Sequence, residues 1–126
     1  MNRHLALPLA VLLTTVGCGE DIAPDSDADL VVIAEDIDFD ADTYEVTAGE
    51  IAIELFQRGA IRHTLLIEDN TGADLGIRLD VDARGSADTD TVVLEAGTYT
   101  LYCDVPGHLD AGMVATLSVN DPSQSP

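Results

Sequence analysis

The stretch Tyr102-Cys103-Asp104-Val105-Pro106-Gly107-His108-Leu109-Asp110-Ala111-Gly112-Met113 carries a cysteine, a histidine and a methionine, each separated from the next by four residues. Short apolar runs flank it. In the run Thr98 to Cys103, strand alternation puts Tyr99, Leu101 and Cys103 on one face, and beyond the stretch Met113, Ala115, Leu117 and Val119 share a face. The same parity recurs in Ile61 to Ile67, where Ile61, His63, Leu65 and Ile67 lie together and Arg62, Thr64 and Glu68 lie opposite. Apolar faces turn toward the core, so His63, Cys103 and Met113 are expected to point inward. A slip of one residue would expose each set, so burial specifies the register.

Working outward, four more runs have the length of strands: Leu30 to Ile33, Tyr44 to Thr47, Ile51 to Phe56 and Thr91 to Leu94. Ala48-Gly49-Glu50, Arg58-Gly59, Asp69-Asn70-Thr71-Gly72 and Ala96-Gly97 separate the runs with residues that accept turn conformations. Ala73 to Ser86 is the stretch whose period decides between neither strand nor helix. The rhythm predicts an all-β fold, an antiparallel two-sheet Greek-key β-sandwich of seven or eight strands. With only two Phe and three Tyr, Val, Ile and Leu must fill most of its core.

Histidine and sulfur are scarce in this domain. Beyond residues 1–18 the chain holds two histidines, His63 and His108, one cysteine, Cys103, and one methionine, Met113. Taken singly, an inward His, Cys or Met is ordinary core packing. An exported chain also tends to pair its cysteines, which makes a Cys18–Cys103 disulfide the next competing explanation. Taken together, a thiolate, two imidazoles and a weak thioether form the His2Cys-plus-axial-Met donor set of a blue-copper electron-transfer centre. The cofactor expected is one copper ion, with His63, Cys103, His108 and Met113 as its ligands.

His63 and the Cys103-x4-His108-x4-Met113 loop resemble the copper site of the cupredoxins, closest to the auracyanin, rusticyanin and sulfocyanin type. The likeness runs from about Leu30 to Val119 and includes Thr47-Ala48-Gly49-Glu50 and Glu95-Ala96-Gly97-Thr98-Tyr99. It implies a copper site at one pole of the sandwich, His63 buried, and His108 at the exposed edge as the port for electrons. Thr64 stands where many of these proteins have Asn after the first histidine, so the bond by which that Asn would lock the cysteine loop is not carried over. The loop has no second cysteine, which excludes a binuclear centre. The domain has no spare histidine for a second copper site, which argues for an electron carrier and against an enzyme. The alternatives are a protein that buffers or delivers copper without redox turnover and, from another class, a metal-free interaction sandwich.

Residues 1–17 have a short basic head and an apolar run too brief to span a bilayer, the form of a secretory signal. Thr15-Val16-Gly17-Cys18 resembles a lipobox, which implies a lipid on Cys18 anchoring the protein to the cell membrane, outside the cytoplasm. Residues 18–28 read as an acidic tether, 29–120 as the domain and 121–126 as a tail. Of the whole chain's 5 basic residues all are Arg, against 24 Asp and Glu, a net charge of −19. Loss of residues 1–17 removes Arg3 alone, leaving 4 Arg against 24 acids, or −20. Such a balance excludes nucleic acid as a partner. It suits redox proteins of basic surface as partners, or solubility in high salt. Val105, Pro106, Leu109 and Ala111, with Asp104 and Asp110 nearby, are expected to form a small docking patch on a monomer.

Overall fold

A computed structural model describes residues 22–124. Within them nine strands run in the order β1 (Leu30–Glu35), β2 (Asp38–Phe39), β3 (Thr43–Thr47), β4 (Gly49–Gln57), β5 (His63–Glu68), β6 (Asp74–Val81), β7 (Ala87–Leu94), β8 (Gly97–Tyr102) and β9 (Val114–Asn120). A 3-10 turn, Pro122–Gln124, follows. The strands form two sheets, ordered β2-β1-β4-β7 and β3-β9-β8-β5-β6. The β-sandwich expected from the sequence is present, with two strands more than the seven runs: β2, only two residues long, and β6, which resolves the ambiguous stretch Ala73 to Ser86 as a strand followed by a turn.

The sandwich is not wholly antiparallel. β1 pairs parallel with β4, and β3 pairs parallel with β9. The cause lies in two reversals. The chain turns back at β1–β2, crosses to the other sheet as β3, and turns again at Ala48–Gly49, where Gly49 takes φ 131°. β4 therefore returns beside β1 running the same way.

The core lies between the sheets. Val32, Ala34, Ile51, Ile53 and Leu55 pack from one side against Leu65, Ile67, Leu79, Leu101 and Leu117 from the other, all buried. Each of these Val, Ile and Leu side chains contributes roughly 1.5–3 kcal/mol relative to exposure, which sets the strand register. Two sequence expectations change. Ile61 is 41% exposed because β5 begins only at His63, so alternation does not extend back to it. Thr64, expected to face outward, is fully buried: β5 is an interior strand between β6 and β8, and residues 63–67 are buried on both faces.

One pole of the sandwich collects the chemistry. β4 and β8 end there, and β5 and β9 start there, so His63 opens β5, Cys103 follows β8 and Met113 precedes β9. β1 ends at the same pole in a two-residue link to β2, Asp36-Ile37, with Ile37 at φ 61°. A β-branched residue in that region costs on the order of 1–2 kcal/mol. At the N-terminal side, Asp25, Ser26, Asp27 and Ala28 share a groove with parts of β4 and β7, and the Asp29 carboxylate accepts the Ala52 N–H at 2.8 Å. No helix among the described residues is long and apolar enough to cross a membrane. The signal and lipidation expectations for residues 1–18 lie outside the described residues.

Candidate metal centre

His63, Cys103 and His108 are buried together, with one donor atom from each lying within 4.8 Å of the others. Cys103 Sγ is 3.5 Å from His108 Nδ1, and the two imidazole rings stand 5.1 Å apart at a 51° tilt. Among the described residues Cys103 is a thiol in no disulfide, and it is wholly buried. His63 and Met113 are also fully buried, while His108 keeps 8% exposure. Of the four ligands expected from the sequence, His63, Cys103 and His108 converge, and His108 is the most exposed.

The loop that carries three of the candidate ligands is tied to itself. The Met113 carbonyl accepts the Cys103 N–H at 3.2 Å, and the Met113 N–H donates to the His108 carbonyl at 3.0 Å. Inside the loop the His108 N–H reaches Val105 O at 3.0 Å and the Ala111 N–H reaches Gly107 O at 3.1 Å. Gly107 and Gly112 supply the left-handed backbone conformations, φ 85° and 102°, that let so short a segment fold back. The loop backbone that carries Cys103, His108 and Met113 is therefore held by its own hydrogen bonds.

Thr64 does for this loop what the sequence left unassigned. Its N–H points at Cys103 Sγ from 3.4 Å, and its hydroxyl lies 3.5 Å from the same sulfur. The hydroxyl also donates to Asp104 Oδ1 at 2.8 Å and accepts the Asp104 N–H at 3.0 Å. One hydroxyl proton cannot serve both acceptors fully, and the shorter carboxylate contact takes it, leaving the sulfur its backbone N–H. Arg78 pairs with the same carboxylate from β6. That guanidinium, with help from Thr64 and against partial burial, holds the Asp104 carboxyl below the usual range.

Two further residues escape a reading of the sequence alone. Gln57, fully buried, donates to Ile61 O at 2.6 Å and Asp82 O at 3.2 Å and accepts the Gly59 N–H at 3.0 Å. It closes the loop that delivers His63. Asp36, at the β1–β2 link, accepts the Ala60 and Ile61 N–H groups at 2.8 and 3.3 Å. The Ala60 bond is the chief cause that holds its carboxyl below the ordinary value. Gln and Asp are common surface residues, and only the long-range closure of the loop marks these two.

Burial pushes the His63 imidazole below its ordinary pKa, outweighing the pull of Asp36 in the other direction. The ring is thus neutral at neutral pH, the form that coordinates a metal. Among the described residues neither of its nitrogens has a hydrogen-bond partner, a costly condition for a buried polar group. A metal ion on one nitrogen removes half of that cost, so the residues fit a thiophilic ion bound by nitrogen and sulfur.

The profile of copper binding proteins, plastocyanin/azurin family, matches residues 27–120. The chain belongs to this family. Solved structures share the fold: auracyanin A, a "blue" copper protein from Chloroflexus aurantiacus, superposes with a TM-score of 0.61 at 20% identity, over 71% of this chain and 96% of that one. Dithionite-reduced auracyanin from Roseiflexus castenholzii gives 0.59 at 18%, over 72% and 95%. A purple cupredoxin from Nitrosopumilus maritimus gives 0.53 at 17%, over 73% and 100%. No curated protein sequence matches significantly. Copper is thus the cofactor of the family and of this cupredoxin fold, and His63, Cys103 and His108 have the arrangement of a type 1 copper site.

Proposed function

We propose that this protein is a mononuclear type 1 copper electron carrier, in which His63, Cys103 and His108 would hold the ion and Met113 would add a weak thioether donor. The observation that carries it is the convergence of two imidazole nitrogens and a thiol sulfur within 4.8 Å in a buried pole of a cupredoxin fold. Copper, when bound by such a set, supplies a one-electron couple.

The chain's own residues do the rest. Cys103 presents its sulfur toward the pocket under the Thr64 N–H, which steadies negative charge on the sulfur. His63 and His108 offer neutral rings from two separate elements, and the loop holding His108 is already hydrogen-bonded into place. Donors held in this way move little between oxidation states, so an electron passes with little rearrangement. His108, the ligand nearest to solvent, sits among exposed Pro106, Leu109 and Ala111, a surface through which a redox partner would couple.

The acidic surface suits partners of basic surface, whose association would weaken as salt rises. The lipobox-like Thr15-Val16-Gly17-Cys18 supports a lipid anchor on Cys18 and a place outside the cytoplasm. The test is optical. Adding Cu(II) to the apo-protein should give an intense visible band that ascorbate bleaches reversibly, and Cys103→Ser should abolish it. A colourless, freely exchanging Cu(I) adduct would overturn electron transfer in favour of copper buffering or delivery.

A further inference from the structure

We propose that Asp36 is a positioning residue of the copper site, whose carboxylate lies against His63 Nε2, orients its ring and favours the oxidised metal. This rests on His63 being a ligand through its other nitrogen, and it adds a carboxylate partner at Nε2 of the ring.

His63 Nε2 lies 3.5 Å from Asp36 Oδ1, and among the described residues that nitrogen has no hydrogen-bond partner. The contact is long for a hydrogen bond, so the carboxylate acts mainly as a nearby negative charge that favours a proton on Nε2. That tautomer leaves the lone pair on Nδ1. A negative charge at Nε2 raises the ring's donor strength and stabilises the more positive oxidation state.

Three features keep the carboxylate in this place. The Ala60 and Ile61 N–H groups hold Oδ1 from the loop just ahead of His63. Gly59 leaves room for it: a Cβ there would come within 2.2 Å of Oδ1 and 2.9 Å of Cγ. The Asp36-Ile37 link is itself held in a strained form, with isoleucine at φ 61° where glycine would be relaxed. Capping two N–H groups needs only a neutral oxygen, and Gln57 already clasps the same loop. The charge is thus surplus to the structural need. It is also unneutralised by the adjoining arginines, since Arg58 pairs with Glu35 and Arg62 with Asp80.

The Asp36 side chain is 48% exposed, so water screens part of the effect. The experiment is a spectroelectrochemical redox titration of the copper-loaded protein. Asp36→Asn keeps an oxygen for Ala60 and Ile61 and removes the charge. Its Cu(I):Cu(II) ratio at a fixed electrode potential should rise about tenfold, a shift of ~59 mV for one electron. Gly59→Ala, whose Cβ would displace the unaltered carboxylate by steric contact, should move the ratio in the same direction. Glu35→Gln, which removes an equal charge one residue earlier but facing Arg58, should change it less than twofold. An Asp36→Asn ratio within twofold of the parent overturns the proposal, as does an equal response to Glu35→Gln. Absence of the intense band in the unmodified protein instead removes the copper-carrier reading on which it stands.

Discussion

Replacing Thr64 by Val removes one hydroxyl from a fully buried position and changes almost no volume, so its cost reports the hydrogen bonds alone. Two are lost. The bond to the Asp104 carboxylate at 2.8 Å is charge-assisted, worth about 1.5–3 kcal/mol before solvent is counted. Asp104 has a side chain 36% exposed and keeps Arg78, so water and the guanidinium recover most of that. The Asp104 N–H, which had donated to Thr64 Oγ1 at 3.0 Å, is left without its acceptor at about 1–2 kcal/mol. The sum is about 2 kcal/mol, or a fall of about 10 °C in Tm for a domain of this size. Urea unfolding of the apo-protein, followed by far-UV circular dichroism, measures it directly. In an Asp104→Ala background the same replacement should cost about half as much, because only the N–H contact remains to be lost. A loss below about 0.5 kcal/mol, or a cost unchanged in that background, would refute the role given to this hydroxyl.

Three other outcomes are expected. Ile37→Gly should stabilise the apo-protein by about 0.5–1 kcal/mol, since relief at φ 61° exceeds the added chain entropy; calorimetry reads it as a higher Tm. Gln57→Leu should cost about 3 kcal/mol, because the carbonyls of Ile61 and Asp82 lose a buried donor, and amide exchange at residues 59–61 should accelerate. The apo-protein should lose stability in acid: His63 is pushed below its ordinary value, so the unfolded chain binds the proton more readily. That contribution is complete above the unfolded pKa of about 6.5 and disappears as pH falls through the folded value. Thermal melts between pH 8 and 5 should show the fall, and copper should move it to lower pH.

The candidate ligands were legible because two local rules met in them. Spacing placed Cys103, His108 and Met113 on one loop, and alternation turned His63 and Cys103 inward. Both rules are local, and both stop where the backbone leaves a strand. Ile61 shows this, since alternation was extended two residues past the real start of β5. Thr64 shows a second boundary: alternation says which face a residue takes but not whether another element covers that face. β2 is too short for any period to register. In β6 the exposed residues of a sheet-edge strand, interrupted at Gly76, blur the alternation that would have announced it. Asp36 and Gln57 lie further still from local rules, because each acquires its role only when distant segments meet. The parallel pairs likewise depend on how often the chain reverses between sheets.

The backbone of Met113 closes the loop that carries three candidate donors, so the soft sulfur and the two imidazoles are offered together to any thiophilic ion. Zinc suits the same nitrogen and sulfur atoms, though copper binds such a set more tightly. A preparation from zinc-rich, copper-poor medium should come out partly colourless and inert to ascorbate, and added copper should restore the colour.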